Sequence, residues 1–283
     1  MLDLNAARDA AERAATAAAE VIAAHLARDD WQVSYKADDS PVTEVDVAAE
    51  HAIRAVLQQA LPEAILDGEE LGNGTDDAGA QGSGLVWRID PIDGTKSFVR
   101  RMPFYSTQIA LERDGELVVG VSNAPAYGGR GGSVGERLVA VRGQGATLNG
   151  RTVRSGETVS IDQAFLSSGN LASLARDEAA WSRYGRIVAQ VRRTRGYGDF
   201  AHYHQLCAGH CDLVIESDVN ILDIAALTVA VRESGGVITD LAGRAIGAGT
   251  RSVLAACTAT LHAQALEALA WQGDQGDQGD QGD

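Results

Sequence analysis

The stretch Arg88-Ile89-Asp90-Pro91-Ile92-Asp93-Gly94-Thr95-Lys96-Ser97-Phe98 decides what fold and chemistry we expect of this 283-residue chain. The apolar run 85–89 predicts a buried strand, and Pro91 cannot continue a sheet ladder. Two aspartates spaced i, i+3 at a strand end suit Mg²⁺, which takes oxygen ligands. Gly94 and Thr95 fit a helix start whose amides would suit an anion. The pattern predicts a metal and a phosphate, although it also fits a polar turn in which Asp93 caps a helix.

Three further segments follow a fixed order with this motif. They are Asp67-Gly68-Glu69-Glu70, Gly143-Gln144-Gly145-Ala146-Thr147-Leu148-Asn149-Gly150, and Leu222-Asp223-Ile224-Ala225-Ala226-Leu227 with Glu233-Ser234-Gly235-Gly236. The four segments resemble those of the inositol monophosphatase superfamily of Mg²⁺-dependent phosphatases, and the resemblance extends over residues 36–269. The resemblance implies a layered αβαβα sandwich, of combined α+β and α/β class, of the inositol monophosphatase and fructose-1,6-bisphosphatase type.

The resemblance also implies a set of metal ligands for two to three Mg²⁺ ions. Glu69, Asp90 and the backbone carbonyl of Ile92 would hold the first ion. The second ion would be bound by Asp90, Asp93 and Asp223, so that Asp90 bridges the two. A third, weaker ion could touch Glu69. Clustered carboxylates repel one another, which gives such a site a physical reason to bind cations.

Catalytic roles follow from the same resemblance. Thr95, hydrogen-bonded toward Asp46, would orient the attacking water, and Glu70 would support the neighbouring metal ligand. The amides of Gly94 and Thr95 would bind phosphate oxygens. Asp46 has a second interpretation, because Thr43 three residues before it forms the pattern of a helix capping box. Both roles can coexist, since an aspartate in a first helical turn can point toward a site beside the helix start.

The segment Tyr197-Gly198-Asp199-Phe200 is similar to that of bacterial histidinol-phosphate phosphatases of this superfamily. Asp199 and Glu216 would then be the substrate-binding acids, and two acids favour an amine or imidazolium through charge-assisted hydrogen bonds. Asp199 could instead only cap a helix from Ala201. The family usually has tryptophan where this chain has Leu222, which affects the substrate more than the metal site.

The leading hypothesis is therefore a phosphoric monoester hydrolase that converts histidinol phosphate to histidinol by attack of a metal-activated water. Hydrolysis of an inositol, cyclitol or sugar phosphate is the alternative, and hydrolysis of a nucleotide 3′-phosphate is the third possibility. A regulatory binding protein represents a different class of function.

The composition favours a globular protein over a nucleic-acid-binding or membrane-spanning one. Hydrophobic residues make up 45% and charged residues 22% of the chain, which is typical of globular domains. The net charge of −15 argues against a nucleic-acid surface. No apolar run approaches the roughly 20 residues of a membrane span, and the N-terminus does not resemble a secretory leader. We expect a cytoplasmic enzyme, and the family resemblance implies a homodimer.

The order of elements predicts two lobes and a tail. Residues 1–150 are expected to form an α+β lobe of helices on an antiparallel sheet, with hairpin turns at 113–116 and at Asn149-Gly150. Residues 151–271 alternate strands and helices, which predicts an α/β lobe carrying the substrate residues and Asp223. Arg192-Arg193-Thr194-Arg195 is expected to be a polar bridge. The Gln-Gly-Asp repeats at 272–283 predict a disordered tail.

The cysteines raise the question of a zinc site. Cys207 and Cys211 lie among His202, His204 and His210, so zinc binding has to be considered. A helix beginning after Gly198 would place the two cysteines on one face but the two nearer histidines on different faces. We therefore interpret the thiols as small buried residues of a helix face.

Overall fold

The computed structural model describes residues 2–28, 31–35, 41–73, 83–128 and 135–271. The helices are α1 Leu4–Arg28, α2 Glu44–Ala60, α3 Thr95–Val99, α4 Ala172–Arg176, α5 Glu178–Gln190, α6 Asp199–Cys207, α7 Ile221–Glu233 and α8 Ala259–Leu269. The strands are β1 Val33–Tyr35, β2 Pro41–Thr43, β3 Ile65–Gly68, β4 Gly72–Asn73, β5 Leu85–Asp93, β6 Ser106–Arg113, β7 Glu116–Ala124, β8 Glu136–Val141, β9 Gly145–Leu148, β10 Arg151–Val153, β11 Phe165–Gly169, β12 Arg193–Arg195, β13 Leu213–Ser217, β14 Val237–Thr239 and β15 Ser252–Ala256. The predicted tail and most of the glycine-rich loops expected at 72–84 and 128–132 lie outside the described residues.

The chain divides into two compact units. Unit 1 comprises Met1–Val153 and Ile221–Ser234, and unit 2 comprises Arg154–Asn220 and Gly235–Asp283. The boundary after Val153 is close to the one expected after residue 150. Helix α7, however, belongs to unit 1, so Asp223 lies in the same unit as the central motif and not in the second lobe where the sequence placed it.

Unit 1 is built on an eight-stranded sheet of order β10-β9-β8-β7-β6-β5-β3-β4. Neighbouring strands are antiparallel except β3 and β5, which run parallel. Helices cover both faces at β7: the Asn123 side chain donates to the Ala15 carbonyl of α1, whereas Gly120 lies against the Ala226 carbonyl of α7. Residues 120 and 123 face opposite sides because strand side chains alternate.

Alanine determines how closely α1 packs. Its buried face consists of small side chains and Ile22: Ala7, Ala10, Ala11, Ala14, Ala15 and Ala18. These residues share one core cluster with the α2 residues Ile53 and Leu57 and with the fully buried Trp87 of β5. Small side chains allow the backbones to approach, so the alanines set a short distance between α1 and the elements it packs against.

Unit 2 is built on a five-stranded sheet of order β12-β11-β13-β15-β14. Strands β12, β11 and β13 are parallel, and β15 runs antiparallel to both of its neighbours. Leu213 and Ile215 of β13 pack into the cluster with α5 and α8. Glu216 points to the other face, where it meets Tyr203 of α6. This unit therefore also has helices on both faces of its sheet.

Several local predictions are confirmed. The turns at 113–116 and at Asn149-Gly150 each join antiparallel strands. Thr43 caps α2, and its reciprocal bonds with Asp46 form the predicted capping box.

Three local predictions are wrong. Strand β5 continues through Pro91 to Asp93, because the ladder with β6 shifts register there instead of ending. The expected polar bridge contains β12, an edge strand paired with β11. Helix α6 ends at Cys207, so Cys211 is not on its face, although both thiols are fully buried as predicted.

Burial raises the pKa of the Cys211 thiol to about 12. A zinc ligand must be a thiolate, so this environment does not favour a zinc site. None of the helices in the described part of the chain combines the length and apolar character needed to cross a bilayer.

We predict that Gly120→Ala destabilises unit 1 by about 1–3 kcal/mol, because overpacking a core costs that much. A Cβ at this position would lie 2.3 Å from the Ala226 carbonyl oxygen, and a helix backbone cannot move away as a flexible side chain can. Urea unfolding monitored by circular dichroism measures the change. Gly185→Ala is the control, since a Cβ on that α5 residue meets no atom within 4 Å. Equal stabilities of the two variants would contradict the predicted contact.

Candidate metal centre and active site

Strand β5 ends at the candidate metal centre. Its register with β6 is regular up to the pair Asp90–Gln108 and then shifts before the pair Asp93–Ser106. Residues three apart on a regular strand face opposite sides of the sheet, so the irregularity is what allows both aspartates to point to one place. Oxygens of Asp90, Asp93 and Asp223 lie within 4.8 Å of one another.

Helix α7 supplies the third carboxylate of this group. The helix begins at Ile221, so Asp223 lies in its first turn, and nine of its thirteen residues are buried. Leu222, which replaces the tryptophan usual in the resembling family, is only half-buried. The apolar helix is held against the sheet on most of its surface, which fixes the direction of Asp223.

Asp90 is the buried carboxyl group on which the neighbouring acids act. It is 1% exposed. Burial raises its pKa well above the usual range, and the nearby charges of Glu69, Asp93, Asp223 and Asp46 raise it further. Five carboxyl groups therefore meet here, all of them in unit 1. Oxygen donors in this number suit a hard divalent cation such as Mg²⁺, whose charge would remove the repulsion.

Asp46 and Thr95 lie beside each other, as predicted. Asp46 Oδ2 accepts bonds from the Thr43 amide at 2.8 Å and the Thr43 hydroxyl at 2.5 Å. The Thr95 hydroxyl is 2.9 Å from the Ile92 carbonyl and 3.4 Å from Asp46 Oδ1. Having one proton, it donates to one of these oxygens at a time. Burial raises the pKa of Asp46, and its bonds with Thr43 oppose that rise.

The glycine of the motif has the backbone conformation that its position requires. Gly94 has φ of 89°, in the left-handed region, and it precedes α3. The amides of Ser97 and Phe98 both donate to its carbonyl, so the first turn starts here. A residue with a side chain would be strained at this φ.

Glu69 is carried by a loop that a buried acid supports. Glu50 of α2 is fully buried and pairs with Arg54 at 2.7 Å. Its carboxylate also accepts from the Glu70 and Leu71 amides, at 2.8 and 3.3 Å. The acid thus holds the backbone immediately after Glu69. The role of Glu50 was not predicted, although an acid on the apolar face of α2 is itself a signal.

A polar network lies behind Asp93. The Ser106 hydroxyl donates to Asp93 Oδ2 at 3.1 Å, and the Gln108 amide nitrogen is 2.7 Å from that hydroxyl and 3.1 Å from the hydroxyl of Ser122. Gln108 and Ser122 are paired residues of β6 and β7. The sequence shows this only as polar residues in a buried strand, and we did not assign them a role.

The two predicted substrate residues lie in unit 2, at the carboxyl ends of its parallel strands. Glu216 is near the end of β13, opposite Gly169 at the end of β11. Asp199 begins α6 with φ of 45°, directly after Gly198, which occupies the cap position. In open α/β sheets ligands bind outside the carboxyl ends of the strands. The structure thus brings the metal-ligand candidates together in unit 1 and places the substrate candidates at such an edge in unit 2.

Comparison with known proteins identifies the family of this chain. The sequence profile of the inositol monophosphatase family matches residues 3–273. The histidinol-phosphatase of Streptomyces coelicolor is 38% identical over 227 residues, which cover 76% of this chain and 79% of that protein. The histidinol-phosphatase of Mycobacterium tuberculosis is 36% identical over 248 residues, 85% of this chain and 88% of that protein.

A solved structure extends the comparison to the fold. An inositol monophosphatase from Zymomonas mobilis superimposes with a TM-score of 0.78 at 30% identity, covering 96% of this chain and all of that one. This confirms the layered α+β fold class that the sequence predicts. The matched span and these relatives show that the chain belongs to the inositol monophosphatase family.

Proposed function

We propose that this chain is a Mg²⁺-dependent phosphatase that hydrolyses histidinol phosphate to histidinol and inorganic phosphate. Hydrolysis of phosphoric monoesters is the activity of the family to which it belongs. The observation that carries the catalytic part is the convergence of Asp90, Asp93 and Asp223, with Asp90 buried among further acids. Members of the family are Mg²⁺-dependent, and the oxygen ligands found here fit that ion.

We propose two to three ions in this cluster. Glu69, Asp90 and the Ile92 carbonyl would hold one, Asp90, Asp93 and Asp223 would hold another, and a weaker one would be held near Glu69 with help from Asp46. When bound, Mg²⁺ neutralises charge on the phosphoryl group and the leaving oxygen and acidifies the attacking water. That chemistry is what a phosphate monoester requires, because its uncatalysed hydrolysis is among the slowest reactions known.

The remaining tasks fall to the protein's own groups. The Thr95 hydroxyl donates to Ile92 or Asp46 and keeps lone pairs that can accept a hydrogen bond from the attacking water. The amides of Gly94 and Thr95 bind phosphate oxygens, since the left-handed conformation of Gly94 leaves the backbone open there. Glu70, whose amide is held by Glu50, supports the loop of Glu69.

Asp199 and Glu216 support the choice of substrate. Both are acids at the carboxyl edge of the unit 2 sheet, where a ligand is expected. An ammonium or imidazolium group would form a charge-assisted hydrogen bond with either acid, which is stronger than the neutral bond made by a sugar hydroxyl. The similarity to two histidinol-phosphatases points to the same ester.

An inositol, cyclitol or sugar phosphate is the second candidate substrate. The observation in its favour is the 30% identity to an inositol monophosphatase over nearly the whole chain. Both acids could accept hydrogen bonds from ring hydroxyls. A comparison of kcat/KM for histidinol phosphate and inositol 1-phosphate decides between the two.

We predict that Asp93→Asn keeps the fold and lowers kcat by about 10² or more, as removal of one key electrostatic group does in other enzymes. The change removes a charge and almost no volume. Mg²⁺ should also stabilise the variant less than the parent, because a ligand that binds only the folded state raises stability. Phosphate release and thermal unfolding with and without Mg²⁺ are the measurements.

Asp114→Asn is the matched control for this experiment. Asp114 occupies the β6–β7 turn with φ of 52°, a conformation that asparagine tolerates, so the same charge is lost away from the cluster. Parent-like turnover by Asp93→Asn, or activity that survives exhaustive treatment with EDTA, would show that the metal mechanism is wrong.

We predict that Asp199→Asn raises KM for histidinol phosphate about tenfold or more and changes KM for inositol 1-phosphate much less. Hydrogen bonds to charged groups contribute about 1.5–3 kcal/mol, which corresponds to this range. Asparagine also tolerates the positive φ of the site, so the backbone should be unchanged. Equal effects on both esters, or a parent enzyme inactive toward histidinol phosphate, would favour the cyclitol or sugar phosphate alternative.

We predict a homodimer, which the resemblance to the family implies. Light scattering at micromolar concentration should give about twice the mass of one chain. A mass near 29.6 kDa, that of a single chain, would contradict the prediction.

A further inference from the structure

Glu216 is held by one oxygen only. Its Oε2 accepts a hydrogen bond from the Tyr203 hydroxyl at 2.9 Å and lies 3.0 Å from His202 Nε2. The acid and both partners are at most 1% exposed. Its other oxygen, Oε1, is buried and has no hydrogen-bond partner among the described residues. A buried acceptor without a donor costs about 1–3 kcal/mol, so such an atom calls for an explanation.

The partners of Glu216 are a tyrosine and a histidine, not the lysine or arginine that usually pairs with a buried acid. Nε2 must carry a proton to donate to an ionised carboxylate. The other ring nitrogen of His202 is Nδ1. That atom is also buried without a partner in the described part of the chain. Within the same residues Glu216 forms no ion pair with lysine or arginine; its one basic neighbour is His202. An acid supported in this way would bind an incoming cation or hydrogen-bond donor favourably.

Gly169 lies next to the unpartnered oxygen. A Cβ built on Gly169 would lie 2.5 Å from Glu216 Oε1 and 2.7 Å from the Gly198 Cα. A side chain at position 169 would therefore collide both with the acid and with the backbone that leads into Asp199. The ends of β11 and β13 and the start of α6 approach one another closely here, and the glycine at position 169 permits that approach.

We propose that Tyr203 and His202 are positioning residues that fix Glu216 through Oε2, so that Oε1 accepts a hydrogen bond from the leaving-group part of the substrate. This inference rests on the proposed function, in which Glu216 is a substrate-binding acid. Oε1 selects a hydrogen-bond donor, and it prefers an ammonium or a ring N–H to a hydroxyl. Gly169 is required because a side chain at this position would collide with Oε1 and occupy the place of the donor.

The purely structural alternative is a buried hydrogen-bond cluster that only stabilises unit 2. A thermodynamic cycle separates the two. Tyr203→Phe removes one donor to Oε2 with little change in volume, and Glu216→Gln removes the acid on which it acts. If Tyr203 acts through Glu216, its effect on substrate binding must disappear when the acid is gone.

Tyr184→Phe is the matched control. Its hydroxyl donates to Ser168 Oγ at 2.9 Å on the same sheet and does not touch Glu216. Thermal unfolding of both tyrosine variants reports the structural cost of losing a buried hydroxyl bond.

His202→Leu removes the second donor, and His202→Gln should restore part of its effect because the glutamine amide can reach the position of Nε2.

We expect Tyr203→Phe to raise KM about fivefold to tenfold with kcat changed less than about twofold, as loss of one intramolecular hydrogen bond would do. In the Glu216→Gln background the same change should alter KM less than about twofold. Tyr184→Phe should leave KM unchanged at a similar melting temperature. An unchanged KM in Tyr203→Phe, or equal KM effects in both backgrounds, overturns the proposal.

The cycle is measured on whichever of histidinol phosphate and inositol 1-phosphate the parent hydrolyses faster. A parent inactive toward histidinol phosphate but active on the other ester refutes the proposed substrate, while the cycle still decides the role of Tyr203. A parent active on histidinol phosphate with a cycle showing no coupling refutes the positioning role alone. A parent that hydrolyses neither ester refutes both.

Discussion

Repulsion among buried carboxylates at the end of β5 is the constraint on which the rest of unit 1 depends. Asp90 is buried beside four further acids, and burial together with their charges drives its pKa upward. Coulomb repulsion between close charges grows as the surroundings become less polar, so without a cation this cluster opposes its own ionisation. The fold tolerates the arrangement because the strand is central in its sheet and α7 is packed along nearly its whole length. A divalent cation turns the same repulsion into attraction, which couples metal binding to the stability of the unit.

Neutral or paired polar groups hold these acids in place. Glu50 supports the backbone after Glu69, and Ser106, itself bonded to Gln108, donates to Asp93. Partners of metal ligands are known to tune affinity and orientation almost as strongly as the ligands do. Glu216 in unit 2 follows a related scheme, with Tyr203 and His202 on one of its oxygens. In each case the partner lies on a different element from the acid, so the geometry depends on tertiary packing.

Which residues the sequence could predict depends on whether a residue is recognised from its own segment or from its contacts with a distant element. Asp90 and Asp93 could be named in advance from their spacing at a strand end, and Asp223 from the resemblance of its segment to the family. Glu50 and Gln108 could not, since nothing in their own neighbourhood shows which loop or carboxylate they will meet. The extension of β5 through Pro91 was missed for a related reason: proline loses one donor, but its carbonyl still accepts from Thr107, and the register shift absorbs the rest. Helix α7 was assigned to the second lobe by its place in the chain, whereas its packing is against the strands of the first.

The assignment of α7 to unit 1 has a consequence for how the family can diversify. All five acids of the metal cluster belong to one unit, so substitutions in unit 2 need not disturb the chemistry that every phosphate ester requires. Under the proposed function, Asp199 and Glu216 at the carboxyl edge of the unit 2 sheet contact the leaving group and take no part in the acid cluster of unit 1. A motif search that weights the metal ligands therefore identifies a phosphatase but says little about its ester. If Glu216 binds the substrate as proposed, the side chains that contact it carry more information about the ester, because they leave Oε1 as the oxygen without a partner among the residues that the structure describes.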